Sequence, residues 1–349
     1  MSAETDMVVF DRVSIVFGGR PKDALAAMDE NLTREEVQAR TGQILGVHDC
    51  SLAVGRGEIS VLMGLSGSGK STLLRAVNGL NPVARGRMLV RDRDGTLIDV
   101  AACDAGRLRR LRRGAVSMVF QQFGLLPWRS VIENVGLGLE LSGLGRAERR
   151  RRAQEVLETV NLGAWAEHRV GQLSGGMQQR VGLARAFATE AEILLMDEPF
   201  SALDPLIRAR LQDELLELQA RLQVTILFVS HDLEEAVKLG SRITIMEGGR
   251  IVQSGRPEDI VLNPASTHVA EFVAHLDPLS VLRAEHVLER SPPEAGAAAI
   301  PLGRPLREIL PLFAAGAREV AVVDDGVAVG RIRAEAVFAA LSRARAAAE

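Results

Sequence analysis

Few topologies can accommodate Gly64-Leu65-Ser66-Gly67-Ser68-Gly69-Lys70-Ser71 placed directly behind the apolar run Ile59-Ser60-Val61-Leu62-Met63. The apolar run reads as a buried strand, and the residues after Ser71 read as a helix through Leu80, ended by Gly79 and Pro82. A strand that turns through a glycine loop into a helix belongs to an α/β fold with a largely parallel sheet. Gly64, Gly67 and Gly69 let successive backbone N–H groups curl toward one point, and the helix adds the positive end of its dipole. Lys70 supplies charge for phosphate oxygens, and the Ser71 hydroxyl suits Mg²⁺. Ser66, Ser68 and Thr72 complete the candidate phosphate cradle.

Two later segments belong to the same chemistry. Residues 191–196 form a second apolar strand, closed by Asp197-Glu198. Asp197 is the natural Mg²⁺ partner beside such a loop, and Glu198 can take a proton from an attacking water. Two acids ending an apolar strand are costly without a cation nearby. Ser174-Gly175-Gly176 opens a helix over 177–188. A serine cap with free N–H groups is either a second anion site or an ordinary helix start, and on these residues alone both readings stand.

Between these segments the pattern alternates strand and helix. Residues 8–17 and 46–54 read as strands, with a short helix between them that starts at the capping box Thr33-Arg34-Glu35-Glu36 and ends at Gly42. Residues 206–222 repeat Ile207, Leu211, Leu215, Leu218 and Leu222 at helical steps. Residues 224–229 form a β-branched strand ending at Ser230-His231, and Glu247-Gly248-Gly249 marks a hairpin. The arginine runs 107–113 and 149–152 read as solvated helix faces, the second lying ahead of a helix over 153–160. The first domain is placed at 1–275, with a helical subdomain over about 122–178. Composition shifts near Pro278, residues 291–299 read as a linker, and a small α-β-β-α unit follows within 276–349.

Composition excludes several classes. With 349 residues, 47% apolar and a net charge of −3, the chain can bury a large core but is not built to hold nucleic acid. No apolar run approaches the roughly 18–20 residues of a membrane span. Met1-Ser2-Ala3-Glu4-Thr5-Asp6 is acidic and polar, unlike a signal peptide. Tyrosine is absent, and 10 Phe with 2 Trp supply few aromatic faces for a cationic small molecule. Cys50 and Cys103 have no metal-ligand spacing and read as free thiols of a reducing cytoplasm.

The ordered set resembles the ATP-binding subunit of an ABC transporter. Residues 64–71 are similar to its Walker A motif, Leu173-Ser174-Gly175-Gly176-Met177-Gln178-Gln179 to its signature, and 193–198 to Walker B with the catalytic glutamate. Gln121 sits where the family has its Q-loop glutamine, Ser201-Ala202-Leu203-Asp204 resembles the D-loop, and His231 the switch histidine. The fold implied is a P-loop cassette with a mixed, largely parallel sheet and an inserted helical subdomain. The helix around 33–40 and the segment Gln121-Gln122-Phe123-Gly124-Leu125-Leu126-Pro127-Trp128 resemble the quaternary-amine uptake branch. Within it, the wording is most similar to choline importers, with glycine betaine and proline betaine importers as the alternative. A soluble non-transport ABC ATPase is the alternative of another class.

The resemblance implies ATP and Mg²⁺, with Glu198, His231 and Gln121 as catalytic residues and Ser71, Gln121 and Asp197 around the metal. Ser174, Gly175, Gly176 and Gln178 would serve the ATP of a second copy, with Asp204 in the D-loop between them. Adenine would stack on Phe17. Further partners would be a membrane permease, docked at the apolar loop ending in Trp128, and indirectly a periplasmic or extracellular substrate-binding protein. The chain would lie at the cytoplasmic face of the membrane. Residues 300–343 resemble about one CBS motif, where betaine-type relatives often carry two.

Overall fold

The computed structural model describes residues 5–346 except Asn31, Gln122, Phe123, Ala202, His275 and Ala295, with side chains to Arg343. The chain forms two compact units: Met1–Asp232 with Leu239–Ile251, and Leu233–Lys238 with Val252–Glu349. That division lies upstream of the composition shift at Pro278, because helices Pro257–Leu262 and Thr267–Val273 fall in the second unit.

Among the described residues, ten strands precede the C-terminal region: β1 (Asp6–Phe17), β2 (Ile44–Gly55), β3 (Ile59–Met63), β4 (Arg85–Arg91), β5 (Leu97–Asp99), β6 (Val116–Val119), β7 (Ile193–Asp197), β8 (Thr225–Val229), β9 (Arg242–Glu247) and β10 (Arg250–Gly255). An antiparallel sheet runs β2-β1-β4-β5, and a second sheet runs β10-β9-β3-β8-β7-β6. In the second sheet β9, β3, β8, β7 and β6 are parallel. Every residue of β3, β7 and β8 is buried. A parallel sheet covered on both faces needs such runs, which is why these strands are continuously apolar rather than alternating. Their carboxyl ends share one edge, the place where open α/β sheets bind ligands.

The expected capping box is present. Thr33 accepts from the Glu36 amide, Glu36 accepts from the Thr33 amide, and helix Arg34–Thr41 ends at Gly42 in the left-handed region, φ +69°. A second helix, Pro21–Asp29, precedes it. The pair buries Ala24, Leu25, Ala27, Met28 and Val37 against Val16 and Leu45. A separate helical core joins Val131–Val135, Leu137–Leu141, Arg146–Thr159 and Gly175–Ala188.

Several elements differ from the sequence reading. Strands β4 and β5 have no place in it, because arginines at alternate positions of Arg85–Arg91 hide the two-residue period. The helix expected over 153–160 begins at Arg146, so the arginines at 149–152 lie inside it. Arg151 pairs with Glu148 and Glu155, and Arg152 with Glu148. The helix after the phosphate loop ends at Ala76, and hydrogen-bonded turns carry the chain on to Leu80. Arg112 holds those turns, donating to Asn78 O at 2.7 Å and Gly79 O at 3.0 Å.

In the second unit, β11 (Ala298–Pro301), β12 (Glu319–Asp324) and β13 (Val327–Arg333) form one sheet in that order. Helices Leu306–Ala314 and Ala334–Ala346 cover it over a core of Leu306, Ile309, Val320, Val322, Ile332 and Val337. Strand β11 starts inside the stretch read as linker, which ends at 299. Alanine carries little strand signal, and pairing with the β-branched β12 decides its state. Among the described residues, no helix is long and apolar enough to cross a membrane.

Candidate nucleotide site

The parallel order brings the ends of β3, β8, β7 and β6 together, and each supplies part of the site. After β3, the loop at 64–69 turns into helix Lys70–Ala76. Gly64 has φ +142°, and a Cβ there would sit 2.1 Å from Met246 O; Gly69 has φ +102°, and a Cβ would sit 2.7 Å from Val47 Cγ1. Neither position admits a side chain. The hairpin turn after β9 supports the loop from below: Gly249 N donates to Ser68 O at 3.1 Å, and His48 N donates to Gly249 O at 2.7 Å. Lys70 Nζ donates to Gly64 O at 2.8 Å and Leu65 O at 2.9 Å. Burial pulls its ammonium below the usual lysine range, against the opposing fields of Glu198 and Asp197.

Asp197, at the end of β7, is 1% exposed. Its Oδ1 accepts from Ser71 Oγ at 2.7 Å, and its Oδ2 pairs with Arg75 Nη2 at 2.8 Å. Sequence reasoning missed Arg75. Its signal was available: Ser71 and Arg75 are four apart on one helix and therefore reach the same neighbour.

Glu198 has φ +46°, a left-handed conformation uncommon for a non-glycine residue. The turn is held by Glu198 N donating to Val229 O at 3.2 Å and by Ser201 Oγ donating to Glu198 O at 3.0 Å. One carboxylate oxygen, Oε2, receives Gln121 Nε2 at 3.3 Å and lies 3.3 Å from His231 Nδ1. Gln121 follows β6 and His231 follows β8, so the three residues come from three strand ends.

The residues fit a nucleotide and a hard cation. Ser68 Oγ is buried without a hydrogen-bond partner. The first N–H groups of helix Lys70–Ala76 have no intrahelical acceptor. Ser71 and Asp197 pair a hydroxyl with a carboxylate, the oxygen donors Mg²⁺ takes alongside phosphate. Among the described residues there is no cluster of three or more His, Cys, Asp or Glu side chains that could hold a metal by itself. A magnesium ion carried largely by nucleotide oxygens needs none.

The other expected residues lie elsewhere. Ser174 is exposed and caps helix Gly175–Ala188, its Oγ accepting from Met177 N at 3.4 Å. Gln178 Nε2 braces the preceding turn through Leu173 O at 3.1 Å and Val170 O at 3.3 Å. Among the described residues, no hydrogen bond links Ser174, Gly175 or Gly176 to the phosphate loop. Asp204 caps helix Pro205–Leu222, accepting from Ile207 N at 3.1 Å. A Cβ on Gly176 would sit 2.9 Å from Ile207 Cγ2, so that helix packs directly on the signature turn.

Phe17 ends β1 and is 39% exposed. A Cβ on Gly46 would meet Phe17 Cε2 at 3.0 Å and Thr72 Cγ2 at 2.8 Å, which places the ring beside the phosphate loop. Trp128 is 67% exposed, while Leu125 packs against the helical core. Gln122, Phe123 and Ala202 lie outside the described residues. Cys50 and Cys103 are free, and burial pushes the Cys50 thiol up to about 12.

The geometry therefore defines a P-loop ATPase, and comparison with known proteins gives the family. Residues 47–201 match the ABC transporter family model. The chain is 48% identical over 277 residues to the glycine betaine/proline betaine transport ATP-binding protein ProV of Salmonella typhimurium, covering 79% of this chain and 68% of ProV. It is 45% identical over 308 residues to the trimethylamine N-oxide transport ATP-binding protein TmoW of Ruegeria pomeroyi, covering 85% of this chain and 88% of TmoW. An ATP-binding cassette solved as a dimer with ADP and Pi matches at a TM-score of 0.60 and 30% identity, over 72% of this chain and 99% of that one. The chain belongs to the ATP-binding subunits of ABC transporters.

Proposed function

We propose that this chain is the ATPase subunit of an importer for small methylated amines such as glycine betaine, proline betaine or trimethylamine N-oxide. The meeting of Gln121 and His231 on Glu198 Oε2, one residue beyond the carboxylate that takes Ser71, carries the assignment of the catalytic residues. In this reading Glu198 is the general base for the attacking water, and Gln121 and His231 fix which of its oxygens is available. Lys70 and the loop N–H groups hold the phosphates, with Ser71, Asp197 and Gln121 beside the metal. Bound Mg²⁺ would neutralise charge on the β and γ oxygens. Arg75 pairs with Asp197 Oδ2 and leaves Oδ1 aimed at Ser71.

A second copy supplies the rest. Ser174, Gly175, Gly176 and Gln178 are assigned to the ATP of the partner, so that two helix N-termini face one γ-phosphate. Phe17 is assigned to adenine. Trp128 is assigned to the contact with the permease at the cytoplasmic face of the membrane, through which a periplasmic or extracellular binding protein delivers solute. The C-terminal unit is assigned a pairing role on its β-α-β-β-α order, that of about one CBS motif. Unchanged transport at every salt concentration after truncation at Ser280 would remove that role.

The solute reading rests on likeness to ProV and TmoW. Choline, toward which the sequence wording leaned, is in neither name; glycine betaine, the alternative, is in the first. The test is ATPase activity of the complex reconstituted with its permease and binding protein. Glycine betaine, proline betaine or trimethylamine N-oxide should stimulate it and choline should not. Stimulation by choline alone would overturn the solute reading; absence of hydrolysis under every condition would overturn the ATPase reading.

A further inference from the structure

Arg34 is the first residue of helix Arg34–Thr41, yet its side chain leaves the helix for the phosphate loop. Its Nε donates to Leu45 O at 2.7 Å, its Nη2 to Gly46 O at 2.6 Å, and its Nη1 to Gly67 O. Three backbone carbonyls thus share one guanidinium, two from β2 and one from the middle of the loop. Among the described residues, no carboxylate lies within ion-pair distance of it. Gly67 has φ +81° and open space where a Cβ would stand, so no side chain of its own fixes that peptide. In a trans peptide the carbonyl and the next N–H point in opposite directions. Holding Gly67 O therefore also aims Ser68 N–H, which closes the loop's own turn onto Leu65 O at 3.1 Å.

We propose that Arg34 is a positioning residue for nucleotide binding: it locks the Gly67–Ser68 peptide, and through it helix Arg34–Thr41 sets the affinity of the phosphate loop for ATP. The inference rests on the reading of that loop as the ATP site. It assigns a role to the helix pair between β1 and β2, which the hydrolytic chemistry does not use. The guanidinium fork gives each of the three carbonyls its own nitrogen, whereas an ammonium would have to reach all three from a single atom.

The test is titration of the full-length protein with a fluorescent ATP analogue, alongside steady-state ATPase kinetics and a melting curve without nucleotide. Arg34→Ala should raise the Kd and the KM for ATP about tenfold, the scale of lost charge-assisted hydrogen bonds, with kcat at saturation within about twofold. Arg34→Lys should recover only part of the affinity. Val37→Ala, which thins the buried core of the same helix, should lower the melting temperature and leave the Kd unchanged. An unchanged Kd in Arg34→Ala overturns the proposal. So does an equal loss of affinity in Val37→Ala, which would make the effect one of helix stability, or full recovery by lysine, which would make it one of charge. Failure of the wild-type chain to bind the analogue would instead remove the nucleotide reading beneath it.

Discussion

The Glu198 centre and the Ser174 turn are both polar arrangements at the edge of the first unit, and they are built in opposite ways. At Glu198 two strand ends deliver side chains to a carboxylate carried by a third, and the backbone adopts a conformation non-glycine residues rarely take. At Ser174 the chain makes a relaxed helix start, capped by its own hydroxyl and braced from behind by Gln178 and Ile207. The first arrangement is crowded and has its partners within the chain. The second is finished structurally, and among the described residues no hydrogen bond ties it to the phosphate loop. One converged centre and one open helix start are what the head-to-tail pair proposed above would need of each copy: two halves of different sites.

The sharpest way to break this comparison is at the crowded side. Glu198→Gln keeps the shape and the contacts but removes the base. Turnover should fall on the order of 10²–10⁴-fold with ATP affinity retained, read from steady-state hydrolysis and equilibrium binding. Robust hydrolysis by this variant would take the base assignment away from Glu198. Next in size is Ser174→Arg. A bulky cation on an exposed cap should leave the monomer's affinity for ATP as it was, while hydrolysis drops by about 10²-fold or more. If ATP affinity of the isolated chain falls in parallel, the turn belongs to the chain's own site and the two-halves reading fails.

The uneven legibility of the site has a physical cause. The phosphate loop and the Asp197-Glu198 strand end are local: strand, turn and helix lie within a few residues, so type and spacing suffice. Arg75 and Asp197 are 122 residues apart, and only the packing of helix Lys70–Ala76 beside β7 joins them. Gln121 and His231 were placed by family resemblance, not by any rule of spacing, because strand order in the sheet decides that they meet. Arg34 was read only as part of a capping box. Nothing in that pattern shows that its side chain turns away from the helix. In the fold, β3 and β7 were legible as short apolar runs, β8 as a β-branched run, and the hairpin from Glu247-Gly248-Gly249. Strands β4 and β11 were not, since arginine and alanine carry no strand signal until a neighbour pairs with them.

Two smaller effects sharpen the contrast rather than break it. Phe17→Ala removes an aromatic face beside Thr72 and the loop. If adenine stacks there, the KM for ATP should rise about three- to tenfold with kcat unchanged, in line with the worth of one aromatic contact. An unaltered KM would mean that another surface holds the base.

Gln178→Ala tests the open half more gently than Ser174→Arg does. Gln178 touches no part of the phosphate loop; it holds the carbonyls of Val170 and Leu173, the residues leading into the cap. Losing those two bonds should loosen the turn without changing its charge. If the turn acts as a preorganised donor toward a partner's nucleotide, kcat should fall about three- to tenfold, the value of one or two hydrogen bonds, while ATP affinity of the chain alone stays constant. A rate equal to wild type would mean that the helix N-terminus is rigid enough without its brace, leaving Ile207 against Gly176 as the contact that fixes it.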